Sequence, residues 1–256
     1  DGTVARAQFA QRYACVVPEF TETPAIVLED ARYLPLASAL ERHGRRYAPI
    51  SIALEGMGVV TGPNMGGKTA ALRTLGFFAA CVALGVPVPA TSARVSLFDE
   101  IAWLGIGAAP EDDGLLSAFG SEVVEVRGFL ERAPRLALVL IDEFARTTSP
   151  REGRALLIAL LETLRSRGAL GLAATHLSGV AAAARVAHFA SGGSLRLPPI
   201  SGKALTLEAA LTRIAAAMDY RLVRVDESAV PAADAIALGE ALGLDAALIA
   251  RAREAL

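Results

Sequence analysis

Cysteine is almost missing from this chain: Cys15 and Cys81 are the two among 256 residues. Two thiols far apart, in mostly apolar surroundings, exclude a disulfide framework and a cysteine-built metal site. They read as buried free thiols in a reducing compartment, and the expected location is cytoplasmic. Net charge is also missing. The 25 basic and 27 acidic side chains leave a formal −2, so the chain has no overall electrostatic bias towards nucleic-acid phosphate. Its densest basic group, Arg42-His43-Gly44-Arg45-Arg46, is short and contains a turn-like glycine. The reading is a solvated hairpin tip, with a nucleic-acid patch as the weaker alternative. No signal-peptide pattern is visible. The stretch from Thr74 to Ala93 carries no charge, but Gly76, Gly85, Pro87 and Pro89 interrupt it. A buried helix followed by an irregular connection fits it better than a membrane span. With 53% apolar and 20% charged residues, what remains is one large α/β domain with a full core.

Within that domain one stretch has a narrow chemical meaning. Thr61-Gly62-Pro63-Asn64-Met65-Gly66-Gly67-Lys68-Thr69 fits the phosphate-binding pattern G-x-x-x-x-G-K-[ST]. An apolar strand candidate, Gly58-Val59-Val60-Thr61, enters it and a helix-like run from Lys68 to about Leu84 leaves it. Glycines let backbone N–H groups turn onto phosphates, and the helix N-terminus adds partial positive charge. The nucleotide-binding set is therefore Gly62, Pro63, Asn64, Met65, Gly66, Gly67, Lys68, Thr69 and Ala70. Lys68 is assigned to the β- and γ-phosphates of ATP, and the Thr69 hydroxyl to Mg²⁺. A glycine-rich strand-to-helix turn matching by chance is the bland alternative.

A second motif follows. Leu136 to Ile141 is a continuous apolar run, as expected of a strand buried on both faces of a parallel sheet, and it ends in Asp142-Glu143. Paired carboxylates at a buried strand end are unfavourable unless something binds them. Asp142 is assigned to the Mg²⁺ shell and Glu143 to the water that attacks the γ-phosphate. The competing reading is an acidic strand end that caps the next helix. His176, one of three histidines, closes another short apolar run, Ala169 to Leu172 followed by Ala173-Ala174-Thr175. It lies one strand beyond the carboxylates, where a γ-phosphate sensor would stand. Catalytic candidates are thus Lys68, Glu143 and His176.

These residues resemble a known family. The loop with its Pro-Asn-Met insert looks like the phosphate loop of the MutS family of ATPases. Leu140-Ile141-Asp142-Glu143-Phe144-Ala145-Arg146-Thr147-Thr148-Ser149 is similar to that family's Walker B and D-loop, and Ala174-Thr175-His176 to its switch histidine. Ile106 to Ala109 and Leu116-Ser117-Ala118-Phe119-Gly120-Ser121-Glu122 resemble its signature segment. Val17 to Phe20 and Ala31 to Pro35 look like the start of the domain, and Leu238 to Leu256 like its closing helices. The resemblance departs where Ala145 and Thr147 replace two D-loop glycines and where Ala118 replaces a signature threonine, which restricts the backbone at a subunit contact.

The resemblance implies an ABC-type P-loop NTPase with a mostly parallel sheet flanked by helices, a small N-terminal β subregion and a C-terminal helical element. It implies a head-to-tail homodimer, or a heterodimer with a MutS-like subunit, in which Ser117, Arg146 and Ser149 act in the partner's site. Tyr47 precedes the loop strand, where the family often sets an aromatic against adenine, and Tyr220 is a weaker candidate for the other ring face; both types are also ordinary core residues. The load is DNA in mismatch repair or recombination, reached through regions outside this chain. Alternatives are reactivation of a cobalamin-dependent aminomutase, which the neutral charge and altered D-loop mildly favour, and a nucleotide-binding module with little turnover. No membrane partner is expected.

Three regions follow: residues 1–16 as the end of a helix continuing from a missing N-terminal part, 17–200 as the ATPase domain, and 201–256 as a helical dimerisation or packing element. Within them, residues 25–61 are read as short strands, 62–200 as alternating helix and strand, and 205–218, 232–242 and 244–255 as helices. The tract Ser191-Gly192-Gly193-Ser194 with Pro198-Pro199 is read as an exposed connection.

Overall fold

The computed structural model describes residues 1–63, 66–105, 117–192, 209–210, 214, 220–230 and 235–255. Two sheets and eight helices account for most of them. In chain order the elements are α1 (Gly2–Tyr13), β1 (Glu19–Phe20), β2 (Ile26–Ala31), α2 (Leu34–Arg42), β3 (Ile50–Leu54), β4 (Met57–Thr61), α3 (Lys68–Ala83), β5 (Ser92–Val95) and β6 (Glu100–Gly105). They continue with α4 (Ala118–Arg132), β7 (Ala137–Asp142), α5 (Pro150–Ser166), β8 (Leu170–Ala174), α6 (Val180–Ala184), β9 (Ala187–Ser191), β10 (Leu222–Val225), α7 (Ala235–Ala241) and α8 (Ala246–Glu254).

The larger sheet has the order β10-β9-β4-β8-β7-β6. All its pairings are parallel except β10 with β9. Its central strands are apolar without alternation because both faces are covered. In β7, Leu138 and Leu140 face a core shared with Leu72, Leu75 and Phe78 of α3 and with the smaller sheet. Val139 and Ile141 face the opposite core, built with Leu157, Leu161 and Leu164 of α5 and Val180 and Ala184 of α6. The smaller sheet, β1-β5-β2-β3, is mixed. There β3 buries every second residue, the period of a strand with one solvent face.

Several elements differ from the sequence reading. Residues 25–61 hold not only strands but helix α2, which starts behind Tyr33 with a proline in its first turn and carries its apolar residues on one side. The basic group lies at the end of that helix and the turn after it, not on a hairpin tip. The strand expected from Tyr47 begins only at Ile50. Ser191 is fully buried in β9 rather than exposed, because β10 pairs over it. Within 201–256, β10 is a strand. The remainder of the Gly193–Pro199 tract and most of the helix expected over 205–218 lie outside the described residues. Both thiols are free, Cys81 buried and Cys15 half-buried. Among the described residues no helix is long and apolar enough to cross a membrane.

Candidate functional site

Five parallel strands end on one side of the sheet, and the candidate residues hang from three of those ends. Val60 of β4 is in register with Ala174 of β8, and Ala174 with Asp142 of β7. The next residues therefore emerge side by side. The Thr175 N–H donates to the Val60 carbonyl at 3.1 Å and the Glu143 N–H to the Ala174 carbonyl at 3.0 Å. Carboxyl ends of parallel strands are where open α/β sheets place ligands.

The loop after β4 requires glycine. Gly62 has φ +147°, and a Cβ there would lie 2.1 Å from the Ser191 carbonyl oxygen. Gly67, at φ +92°, precedes α3 without any side-chain cap. The first turn of that helix therefore has no side-chain acceptor of its own, the arrangement in which helix N-termini suit an anion. Lys68 is buried in its first turn, and its Nζ donates to the Gly62 and Pro63 carbonyls at 2.9 and 3.2 Å and stands 3.9 Å from Glu143 Oε1. Burial pulls its pKa down, while the charges of Glu143 and Asp142 oppose that. The Thr69 hydroxyl donates to Asp142 Oδ2 at 3.0 Å and Oδ1 at 3.3 Å. Asp142 is held above the ordinary carboxylate range, chiefly by burial and further by the Glu143 charge, against the Thr69 bond, Lys68 and Arg73. A hydroxyl and a buried, charge-crowded carboxylate beside a phosphate loop suit a hard cation with oxygen ligands. Among the described residues no cluster of three or more His, Cys, Asp or Glu side chains could hold a metal by itself. A cleft of about 270 Å³ is lined by Pro63, Gly66, Gly67, Lys68, Thr69, Ala70 and Glu143. His176, two residues past β8, reaches the Glu143 of that lining, with Nδ1 2.8 Å from Glu143 Oε2.

With this geometry in place, comparison with known proteins is decisive about family. Residues 58–252 match the family model described as MutS domain V. The chain belongs to the MutS family. Similar relatives are the proteins named Endonuclease MutS2 of Streptococcus gordonii, 36% identical over 177 residues, and of Exiguobacterium sibiricum, 36% identical over 182 residues. These alignments cover 69% and 70% of this chain and 22% of each relative. The Halothermothrix orenii protein of the same name is 44% identical over 121 residues, 47% of this chain and 15% of that protein. The chain therefore spans about a fifth of the length of the MutS2 relatives it matches over most of its own length.

The three residues expected to act across a MutS dimer are exposed and lie apart from the phosphate loop in sequence. Ser117 is the N-cap of α4, its Oγ accepting the Gly120 N–H at 3.1 Å. Ser149 caps α5 behind Pro150: its Oγ accepts from the Glu152 N–H and donates to Glu152 Oε2 at 2.6 Å. Arg146 is exposed between them. Ala145, in place of the family's usual glycine, is held at φ +59°, and Glu143 at φ +54°. Of the two aromatic candidates, Tyr220 has its Cδ1 3.3 Å from where a Gly67 Cβ would be. The Tyr47 hydroxyl accepts the Tyr33 N–H at 3.0 Å. Asn64, Met65, Ile106–Ala109 and Leu116 lie outside the described residues.

Two groups at the site were given no role of their own in the sequence reading. His188 is buried beside the loop strand, with Nε2 2.8 Å from Thr61 Oγ1 and Nδ1 3.0 Å from the Asp226 carbonyl. Glu122 is buried at 7% exposure and accepts the Ala145 N–H at 2.7 Å. The sequence carried a signal for Glu122: it falls among Phe119, Val126 and Phe129 at helical spacing, an acid within an apolar stripe.

Proposed function

We propose that this chain is the ATP-hydrolysing motor of a MutS-type protein, an ABC-type P-loop ATPase domain that works in a composite dimer. The observation that carries the reading is the convergence of Lys68, Thr69, Asp142, Glu143 and His176 at neighbouring strand ends. The loop N–H groups and Lys68 bind the β- and γ-phosphates. Thr69 and Asp142 would hold Mg²⁺, which when bound neutralises charge on the phosphate oxygens. Glu143 takes a proton from water as the water oxygen attacks the γ-phosphorus. The bond to the β,γ-bridging oxygen breaks, and ADP and phosphate leave. His176, donating from Nδ1, holds Glu143 in place and senses the γ-phosphate. Ser117, Arg146 and Ser149 act in the partner's site, so that ATP favours a closed dimer and hydrolysis reopens it. Tyr220 is the better-placed partner for the base.

Two loads are kept. DNA processing in repair or recombination is favoured by the likeness to proteins named Endonuclease MutS2, with contacts from regions outside this chain. Reactivation of a cobalamin-dependent aminomutase is supported by the near-zero net charge and the altered D-loop. The test is steady-state ATPase activity with and without mismatched and branched duplex DNA at two salt concentrations. DNA-dependent, salt-sensitive stimulation supports the first load; indifference to DNA supports the second. Lys68→Ala is expected to abolish tight ATP binding, and retained micromolar binding in calorimetry would overturn the motor reading.

A further inference from the structure

Helix α4 begins at Ser117, the residue assigned to the partner's nucleotide, and two of its carboxylates reach back into its own protomer. Glu122 accepts the Ala145 N–H at 2.7 Å in a buried bond. Glu125, one turn further on, accepts the Gly105 N–H at 3.2 Å. These two anchor points flank the strand end that carries Asp142 and Glu143. Gly105 pairs with Asp142 across β6 and β7, and a Cβ on it would lie 2.4 Å from the Asp142 carbonyl oxygen. Ala145 follows Glu143 by two residues, both in the left-handed region. That conformation is unfavourable for residues with a Cβ and persists only where surroundings impose it. The Glu143 N–H bond to Ala174 fixes one side of the turn; the Glu122 bond fixes the other. Burial pushes the Glu125 carboxyl up, with the Gly105 bond opposing and the Glu122 charge adding to the rise.

We propose that Glu122 is a positioning residue that ties the signature helix to the general base of the same protomer. Through the Ala145 N–H it makes a displacement of Ser117 register in the placement of Glu143. The proposal rests on the hydrolysis reading above. In that frame a partner's ATP, engaging Ser117, shifts α4 as a rigid rod and adjusts the turn bearing Glu143, so each protomer's hydrolysis answers to what its signature face touches. Glu125 provides the second fixed point, so that α4 cannot turn about Glu122 alone.

The test compares kcat, KM and the Kd of a fluorescent ATP analogue for the unsubstituted full-length protein and its Lys68→Ala, Glu122→Ala, Glu122→Gln and Glu122→Met variants. Glu122→Ala is expected to lower kcat by about tenfold or more, the scale of a misplaced catalytic group, with Kd unchanged. Glu122→Gln, whose amide oxygen still accepts the Ala145 N–H, should recover most of that loss. Glu122→Met keeps the volume without the acceptor and should behave like alanine; it is the variant to read should alanine not fold. A Lys68-dependent rate that Glu122→Ala or Met leaves unchanged would overturn this proposal alone. So would kcat and nucleotide affinity falling together, or no recovery with Gln. A wild-type rate indifferent to Lys68→Ala would overturn the hydrolysis reading, and this proposal with it.

Discussion

Glu143 meets three demands at once: a left-handed backbone, a bond to His176 and a place 3.9 Å from Lys68. Its amide isostere keeps size and shape but cannot take a proton. Glu143→Gln is therefore expected to bind ATP normally while turnover falls by about 10²–10⁴-fold, which calorimetry and a phosphate-release assay read separately. Ala145 sets a different test. Its φ of +59° is free of strain only for glycine, but its methyl is buried in the core. In Ala145→Gly the left-handed strain removed, about 1–2 kcal/mol, is offset by glycine's chain entropy and the lost methyl burial, so stability should change by less than about 1 kcal/mol. Chemical denaturation would test it. That the glycine-rich loop and the carboxylate pair would meet was legible from the sequence, because both motifs close apolar runs that end on the same side of one parallel sheet. Glu122 was not: what it holds is a backbone N–H 23 residues away, a link that only the tertiary structure reveals. Tyr220 shows the same limit, since its approach to Gly67 joins positions far apart in the chain.

At the level of elements, α3 connects chemistry to core. Its first turn holds Lys68 and Thr69, and Leu72, Leu75 and Phe78 behind them are fully buried against both sheets. Leu75→Ala is expected to destabilise by about 2–5 kcal/mol, measured by denaturant unfolding. Near its far end Cys81 has a pKa pushed up to about 11, mainly by burial and secondarily by Cys15. The folded state thus keeps this proton longer than the unfolded chain does. The associated stability is complete below about pH 9 and is lost as pH rises towards 11. Cys81→Ser should flatten the fall in melting temperature across that window. Helices α3 and α5 and strands β4, β7 and β8 were visible in the sequence, the strands as unbroken apolar runs and α5 by its Ser-Pro start and glycine stop. Helix α2 was not, because Tyr33-Leu34-Pro35-Leu36 also reads as an extended segment before a proline.

Across the whole molecule, the proposed composite site makes one prediction that separates capping from catalysis in trans. Ser117 caps α4 with an acceptor oxygen, and aspartate caps equally well but brings a negative charge. Ser117→Asp is therefore expected to fold with unchanged stability, while ATP no longer drives dimerisation in a Glu143→Gln background. Sedimentation velocity with ATP and magnesium reads this directly, and an ATP-stabilised dimer in the double variant would remove Ser117 from the partner's site. Strand β10 has a further consequence of its own. It lies against β9, whose Ser191 abuts Gly62. A version of this protein cut near residue 200 would leave a bare row of backbone donors and acceptors next to the nucleotide loop. Such a rim invites a stray strand from another molecule, so aggregation would be the signature of trimming the motor too short. Any excised motor should run past Val225.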